Sequence, residues 1–433
     1  MIRKENRYYD VYPRIVRAGH EATIHIRPLY GHCRFDDDQT YVVTILPTEG
    51  SIGQSTWSDH WEASLRPSGG FLQVRYPFEG EQEYALLVRA ADDERRAVLA
   101  EFRLYALEND LYHRRPFKGD LHIHSAYSDG WESPAYVAGA SRRIGLDFVA
   151  VTDHRQYAPS LEAMRAYEDV EIDLRIYPGE EVHPPGNPVH IINFGGRWSL
   201  NEQFATEAYR AEVSALEATL TDLPPGVDRY PYASCLWCYD QIRQAGGLGL
   251  FCHPYWLSRH RYDVPLYLTD LILERQPYDA LELIGGYHRF EIESNALQVA
   301  RYHDERVRGK RIPVVGVSDG HGCERGELFG WFYTIAFAPS SDLPDLIESI
   351  VDLYSVAVEA LPGETARAFG PFRLVKYAQF LLREILPQHD ELCVEEGRLM
   401  LAHAAGDMRA AAALRALKGR TPALYDHLWD PGK

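Results

Sequence analysis

The stretch that most constrains this chain is Lys118-Gly-Asp-Leu-His-Ile-His-Ser-Ala-Tyr-Ser-Asp-Gly130. Leu121 and Ile123 alternate with His122 and His124, which predicts a strand over Leu121–Ser125 with both imidazoles on one face. A strand normally spends its inward face on apolar packing. Two neutral imidazoles there call for a polar task, and metal ligation is the commonest. Ser128-Asp-Gly130 then predicts a turn that adds a carboxylate. An isolated His-x-His is more often a pair of buried histidines bonded to backbone carbonyls, so the rest of the chain has to decide.

Polar residues of the same kind recur after other apolar runs: Asp153-His154 after Phe-Val-Ala-Val-Thr, Glu180-Glu181 in Tyr177-Pro-Gly-Glu-Glu-Val182, His190, His253 after Leu-Gly-Leu-Phe-Cys, and Asp319 and His321 after Val-Val-Gly-Val-Ser. Between these runs lie helical patterns, one beginning at Ser133-Pro134 with proline in its first turn. Alternating strands and helices predict an α/β unit with a parallel sheet or barrel. In such barrels the loops at the C-terminal strand ends converge, and reactive side chains collect there.

At 433 residues the chain exceeds one ordinary core. Residues 1–112 read as a small all-β, Ig-like sandwich, from alternating runs such as Glu21–Tyr30 and Tyr84–Ala91. Residues 113–362 hold the α/β unit, interrupted at about 198–232 by a helical insertion that reads equally as a lid or a surface excursion. Residues 363–433 read as a C-terminal helical extension. The 45 basic against 63 acidic residues give a net charge of −18, which argues against a general nucleic-acid scaffold. No run is long and apolar enough to span a bilayer, and no secretory leader is legible. Six scattered cysteines suit a reducing cytoplasm, and Cys235-Leu-Trp-Cys238 lacks the second pair of a zinc site.

Taken together, His122-x-His124, Ser128-Asp-Gly130, Thr152-Asp-His154, Gly179-x-Glu181, His190, His253-Pro254 and Ser318-Asp-x-His321 resemble the PHP superfamily, named for polymerase and histidinol phosphatase domains. The likeness runs from about Phe117 to about Glu359 and meets the family motifs in order. It implies a distorted, TIM-like (β/α)7 barrel that hydrolyses phosphoesters with a hydroxide bridging divalent ions. Carried over position by position, His122, His124, Glu181 and Asp319 hold a first ion. Glu181 bridges to a second with His190 and His253, and Asp129, His154 and His321 hold a third. Asp319, His321, Glu181 and His154 are the implied catalytic set. Whether Glu180 or Glu181 bridges is a question of register, and the Gly-x-Glu spacing favours Glu181.

Mixed imidazole and carboxylate donors suit zinc, manganese or iron better than magnesium or calcium, with two or three ions expected. Asp153 either orients a ligand imidazole or caps the turn that follows it. Arg155, Arg259, His288, Arg289 and Arg325 are candidate phosphate-binding residues. Tyr127, Trp131, Tyr157, Tyr255, Trp256 and Tyr287 are candidates to stack on a ring-bearing substrate. The leading expectation is a cytoplasmic phosphoesterase acting on a small mono- or diester, without a membrane and with a homo-oligomer open. A hydrolase of carboxylic or carbamate esters and a non-catalytic metal-loaded binding protein are the alternatives.

Overall fold

A computed structural model describes residues 4–50, 60–93, 95, 97–223 and 227–429. Residues 224–226, inside the expected insertion, lie outside the described ones. The chain divides into two compact units, one of Met1–Arg115, Lys376–Leu392 and Gly419–Lys433, the other of Pro116–Val375 and Cys393–Lys418. The helices after residue 370 are thus shared between the units.

In the first unit, Tyr9–Tyr12, His20–Pro28 and Leu72–Phe78 form one sheet, and Ile15–Arg17, Val98–Leu107, Gln82–Ala90, Tyr41–Pro47 and Trp61–Leu65 form another. Alternation sets the faces: along His20–Pro28, Ala22, Ile24 and Ile26 are buried while Glu21, Thr23 and Arg27 face out. Ile24, Ile26 and Val74 of one sheet share an apolar core with Val43, Leu86 and Phe102 of the other. Arg14 pairs with Glu384 at 2.9 Å, both almost wholly buried, and so ties a late helix to the early strands.

The second unit is mixed α/β. One sheet runs Arg175–Tyr177, Phe148–Ala150, Arg115–Asp120, Phe332–Ala338, Ser355–Glu359 and Arg367–Phe369. The other runs Gly179–Val182, Ile191–Phe194, Leu248–Phe251, Ala280–Gly285 and Val314–Val317. Isolated bridges, His154 with Glu181 and Ile123 with Gly320, stitch the two sheets where the motif residues lie. The ladders are therefore two sheets and not one all-parallel ring. Gly179–Val182, Ile191–Phe194 and Leu248–Phe251 pair antiparallel. The first two are joined by a connection too short for a helical crossover. Arg175–Tyr177 and Gly179–Val182 are parted by Pro178, which lacks a ladder N–H, and they enter different sheets.

Helices cover these sheets. Pro134–Arg143 begins where Ser133 Oγ accepts the Tyr136 N–H at 3.3 Å, with proline in the first turn. Arg142 on that helix is fully buried and bonds Asp147 at 2.9 Å, Glu396 at 2.6 Å and the Leu146 carbonyl. The insertion's helix, Glu207–Thr219, buries Tyr209 and Val213 in the same cluster as Trp237 and Phe251, so it is part of the packed layer. Cys235 and Cys238 are buried free thiols on Tyr230–Gln244, and burial pushes the Cys235 thiol up to about 12.

Glu293–Val307 is the helix that braces the site. Asn295 Oδ1 accepts the Gly285 N–H at 2.8 Å, and Gln298 donates to the Glu282 and Leu283 carbonyls at 3.1 and 3.2 Å. Its anchor is Glu305, a side chain with no exposed surface that meets Arg308 at 2.9 Å, Arg301 at 3.1 Å and Lys310. Burial raises the Glu305 carboxyl, but Lys310 first and then the two arginines outweigh it and hold it below the usual range. A depressed carboxyl stabilises the fold above its unfolded value, and that contribution is lost as pH falls through the folded value. Glu305→Gln is expected to cost on the order of 3 kcal/mol at pH 7. Urea unfolding of both proteins should show the gap closing below about pH 4; a pH-independent gap would contradict the ion-pair account.

Candidate metal centre

The first-motif histidines follow directly on the strand Arg115–Asp120, so the regular strand ends before the expected Leu121–Ser125. Extended backbone continues regardless. Asp319 N–H donates to the His122 carbonyl at 2.9 Å, His124 N–H to the Gly320 carbonyl at 2.9 Å and Thr152 N–H to the Ile123 carbonyl at 2.8 Å. These bonds hold three motif loops side by side. Both imidazoles point the same way, with Nε2 of His122 3.1 Å from Nε2 of His124.

Glu181 lies at the centre, with its side chain fully buried. Its Oε2 faces His122 and His124 Nε2 at 3.6 Å each, His183 Nε2 at 3.5 Å and, closer still, His154 Nδ1. Its Oε1 faces His190 Nδ1 at 2.8 Å and His253 Nε2 at 3.5 Å. Asp319 Oδ1 meets His124 at 2.8 Å and His122 at 3.2 Å. Asp129 sits between His154 at 3.4 Å and His321 at 3.3 Å. All nine predicted ligands therefore meet in one cup. Three donor groups within it, His122–His124–Asp319, His122–Glu181–His253 and His124–Asp129–His154–His321, are each close enough to share an ion.

The donor set fits divalent cations. Both Glu181 oxygens and His190 Nδ1 are buried without a hydrogen bond of acceptable geometry. Stranding such groups costs roughly 1–3 kcal/mol each unless something satisfies them. Facing ring nitrogens, as on His122 and His124, have at most one proton between them. Lone pairs converging on a common space are what a cation satisfies. Where ring protons can be placed, they point outward. His122 Nδ1 donates to Glu282 Oε1 at 2.8 Å and His321 Nδ1 to the Asp319 carbonyl at 2.7 Å, which leaves Nε2 free on both.

Buried acids around the cup fix its walls. Glu282 holds His122 and accepts the His253 N–H at 3.1 Å. Asp120 accepts the N–H groups of His122 at 3.2 Å and Ser318 at 3.1 Å, and burial pushes its carboxyl up to about 7. Asp153 takes the Ser125 and Ser128 N–H and hydroxyl groups, so it shapes the Asp129 loop and bonds no imidazole. Glu180 points to the opposite face from Glu181. There Asn193, Ser199, the Leu200 N–H and Asn201 satisfy it at 2.6–3.2 Å. Alternation along the strand decides the register in favour of Glu181. Gly130 is needed because a Cβ there would lie 2.7 Å from the His124 backbone.

The backbone is strained at this rim: Arg155, His253 and Asp319 adopt positive φ of 60°, 20° and 49°. No ion pair among the described residues joins the expected phosphate-binding residues to the Glu181 cluster. Arg155 and Arg259 are exposed, His288 pairs with Glu327 at 3.1 Å, and Arg289 lies over Trp331 at 5.3 Å. Arg325 lies over Trp131 at 4.6 Å. Of the aromatics, Tyr157, Tyr255 and Tyr287 are buried, and Tyr127, Trp131 and Trp256 are exposed. Trp256 stands nearest the cup, 6.1 Å from His253 and 6.4 Å from His190 between ring centroids. The sequence reading missed His183 and Glu282. Both carried a signal: His183 follows Glu181 by two, and Glu282 is an acid inside Ala-Leu-Glu-Leu-Ile.

Without cations the cup holds protons as its positive charge. Burial opposes it, yet His190 and then His122 hold Glu181 well below the carboxylate range. Burial also opposes charge on His154, but Asp129 and Glu181 push it up to about 10. A cation must displace such protons, so affinity rises with pH until the imidazoles are neutral. Calorimetric titration with Mn²⁺ at pH 7, in buffers of different ionisation enthalpy, should show more than one proton released per chain. Binding with no proton release would contradict this.

The fold and cup define a class, an α/β protein with a multi-donor histidine–carboxylate centre at its strand ends. No family model matches the chain. A DNA polymerase/3'-5' exonuclease PolX of Bacillus subtilis is 40% identical over 57 residues, 13% of this chain and 10% of that protein. An uncharacterised protein of Methanocaldococcus jannaschii is 23% identical over 189 residues, 41% of this chain and 87% of its own. A solved two-domain protein of Bacteroides vulgatus, described as containing a predicted PHP-like metal-dependent phosphoesterase, is 17% identical, with 57% of this chain and 65% of that one covered at a TM-score of 0.36. The chain thus spans a tenth of PolX and just under two thirds of the Bacteroides protein. The likeness read from the motifs stands: the chain resembles the PHP superfamily. No helix among the described residues is long and apolar enough to cross a membrane.

Proposed function

We propose that the chain is a metal-dependent hydrolase that cleaves small phosphate mono- or diesters. The observation that carries this is the Glu181 cup, in which nine side chains from separate strand ends turn donor atoms toward a common space. His122, His124, Glu181, His190, His253 and Asp319 would hold ions in the floor, and Asp129, His154 and His321 nearer the rim. Bound divalent ions supply an acidified water and neutralise charge on the phosphoryl oxygens. The exonuclease named in the PolX relative cuts a phosphodiester, which favours phosphorus over carbon as the reacting centre.

The protein's own groups do the positioning. Glu282 and the Asp319 carbonyl fix the His122 and His321 rings, so no reorganisation is needed as charge develops. Asp319, His321, Glu181 and His154 line the reacting face. His154 and His321, 26% and 27% exposed at the side chain, mark where a leaving oxygen would reach the cluster. Trp256, beside His253 and His190, is placed to border a bound substrate.

The test is a substrate panel on protein loaded with Mn²⁺, Zn²⁺ or Fe²⁺. Turnover of p-nitrophenyl phosphate or its bis ester is expected, with aryl acetates and carbamates left intact. His124→Ala and Asp319→Ala should lose at least about 10²–10³-fold in kcat with unchanged circular dichroism. Turnover of the carbon esters alone would move the assignment to a carboxylic or carbamate ester hydrolase.

A further inference from the structure

His183 belongs to none of the nine positions carried over from the resemblance, yet it lies inside the cup. It follows Glu181 by two in the strand direction, so alternation places both side chains on one face. Its ring is stacked on His190, with centroids 3.9 Å apart and planes at 21°. That contact and the His183 N–H bond to Asn201 Oδ1 at 3.1 Å fix where the ring stands. Its Nε2 is 3.0 Å from His154 Nδ1 and 3.5 Å from Glu181 Oε2, and its side chain is only 12% exposed.

We infer that His183 is a tenth donor of the cation cluster, supplying Nε2 beside Glu181 Oε2 and His154. Two facing imidazole nitrogens and the carboxylate oxygen Oε2 form a further group of donors beside Glu181. Stacking on His190 alone does not need an imidazole, and an apolar ring there would forfeit both the 3.0 Å Nε2–Nδ1 hydrogen bond to His154 and the nitrogen that faces the buried Glu181 Oε2. The added donor raises the number of imidazoles around Glu181 to six. Nitrogen-rich surroundings favour zinc or iron over magnesium and calcium.

This inference rests on the metal reading of the cup, and the experiment separates the two. Wild type, His183→Ala and His183→Gln, all full-length, are loaded with Mn²⁺ or Co²⁺, desalted and assayed for metal per chain. Affinity is followed by calorimetry, and the Co²⁺ form by its visible absorption. His183→Ala is expected to lose about one ion per chain or to bind the weakest ion 10–100-fold less tightly, with an altered Co²⁺ spectrum. His183→Gln should fall between it and wild type, and it bears the test if the alanine variant misfolds by circular dichroism. Equal metal content, affinity and spectrum in all three would overturn the assignment of His183. A wild type that binds no ion would overturn the cup's metal reading instead.

Discussion

The structure of the second unit depends on one buried carboxylate. Glu181 has no exposed side-chain surface and is ringed by six imidazoles. An ionised carboxyl taken out of water is costly unless positive charge meets it. His122, His154 and His253, held above the ordinary imidazole value by the neighbouring carboxylates against the opposing effect of burial, can supply it, and so can the divalent ions proposed above. The side chains are fixed from outside the cup.

That fixing is done by acids pointing outward. Asp120, Asp153, Glu180 and Glu282 are buried, and each takes backbone N–H groups from a neighbouring segment. Asp120 joins the first-motif strand to Ser318, Asp153 closes the Asp129 loop, Glu180 holds the start of the insertion, and Glu282 joins His122 to His253. Positive φ at His253 and Asp319 persists because these bonds over-determine the loops. Gly285 marks how close the backbones come, since a Cβ there would lie 1.7 Å from the Val317 carbonyl oxygen.

Most of the side chains that meet in the cup were legible because they stand at the end of an apolar run, while Asp129 was marked by its turn and His190 by opening the strand Ile191–Phe194. Glu181 was separable from Glu180 only by register, and alternation resolves it. The supporting acids were harder to read. Asp153 looked as fit to orient an imidazole as to shape a loop, and only distance decides. The expected seven-fold barrel is where reading and structure part, because a strand–helix rhythm hides the antiparallel pairing of Gly179–Val182, Ile191–Phe194 and Leu248–Phe251. In the first unit Tyr9–Tyr12, Ile15–Arg17 and Trp61–Leu65 are only three to five residues long, so they escaped the pattern. The candidate phosphate-binding residues were harder still, because proximity to a motif in sequence says little about where a long side chain ends. Arg289 and Arg325 lie instead over Trp331 and Trp131.

The most direct measurement of the central claim is anomalous diffraction at the metal edge from crystals grown with excess zinc or manganese. The account predicts peaks about 2.0–2.3 Å from the Glu181 carboxylate and from imidazole nitrogens of the cup. A map without density there, with His122, His124, His190 and His253 hydrogen-bonded among themselves or to water, would contradict it.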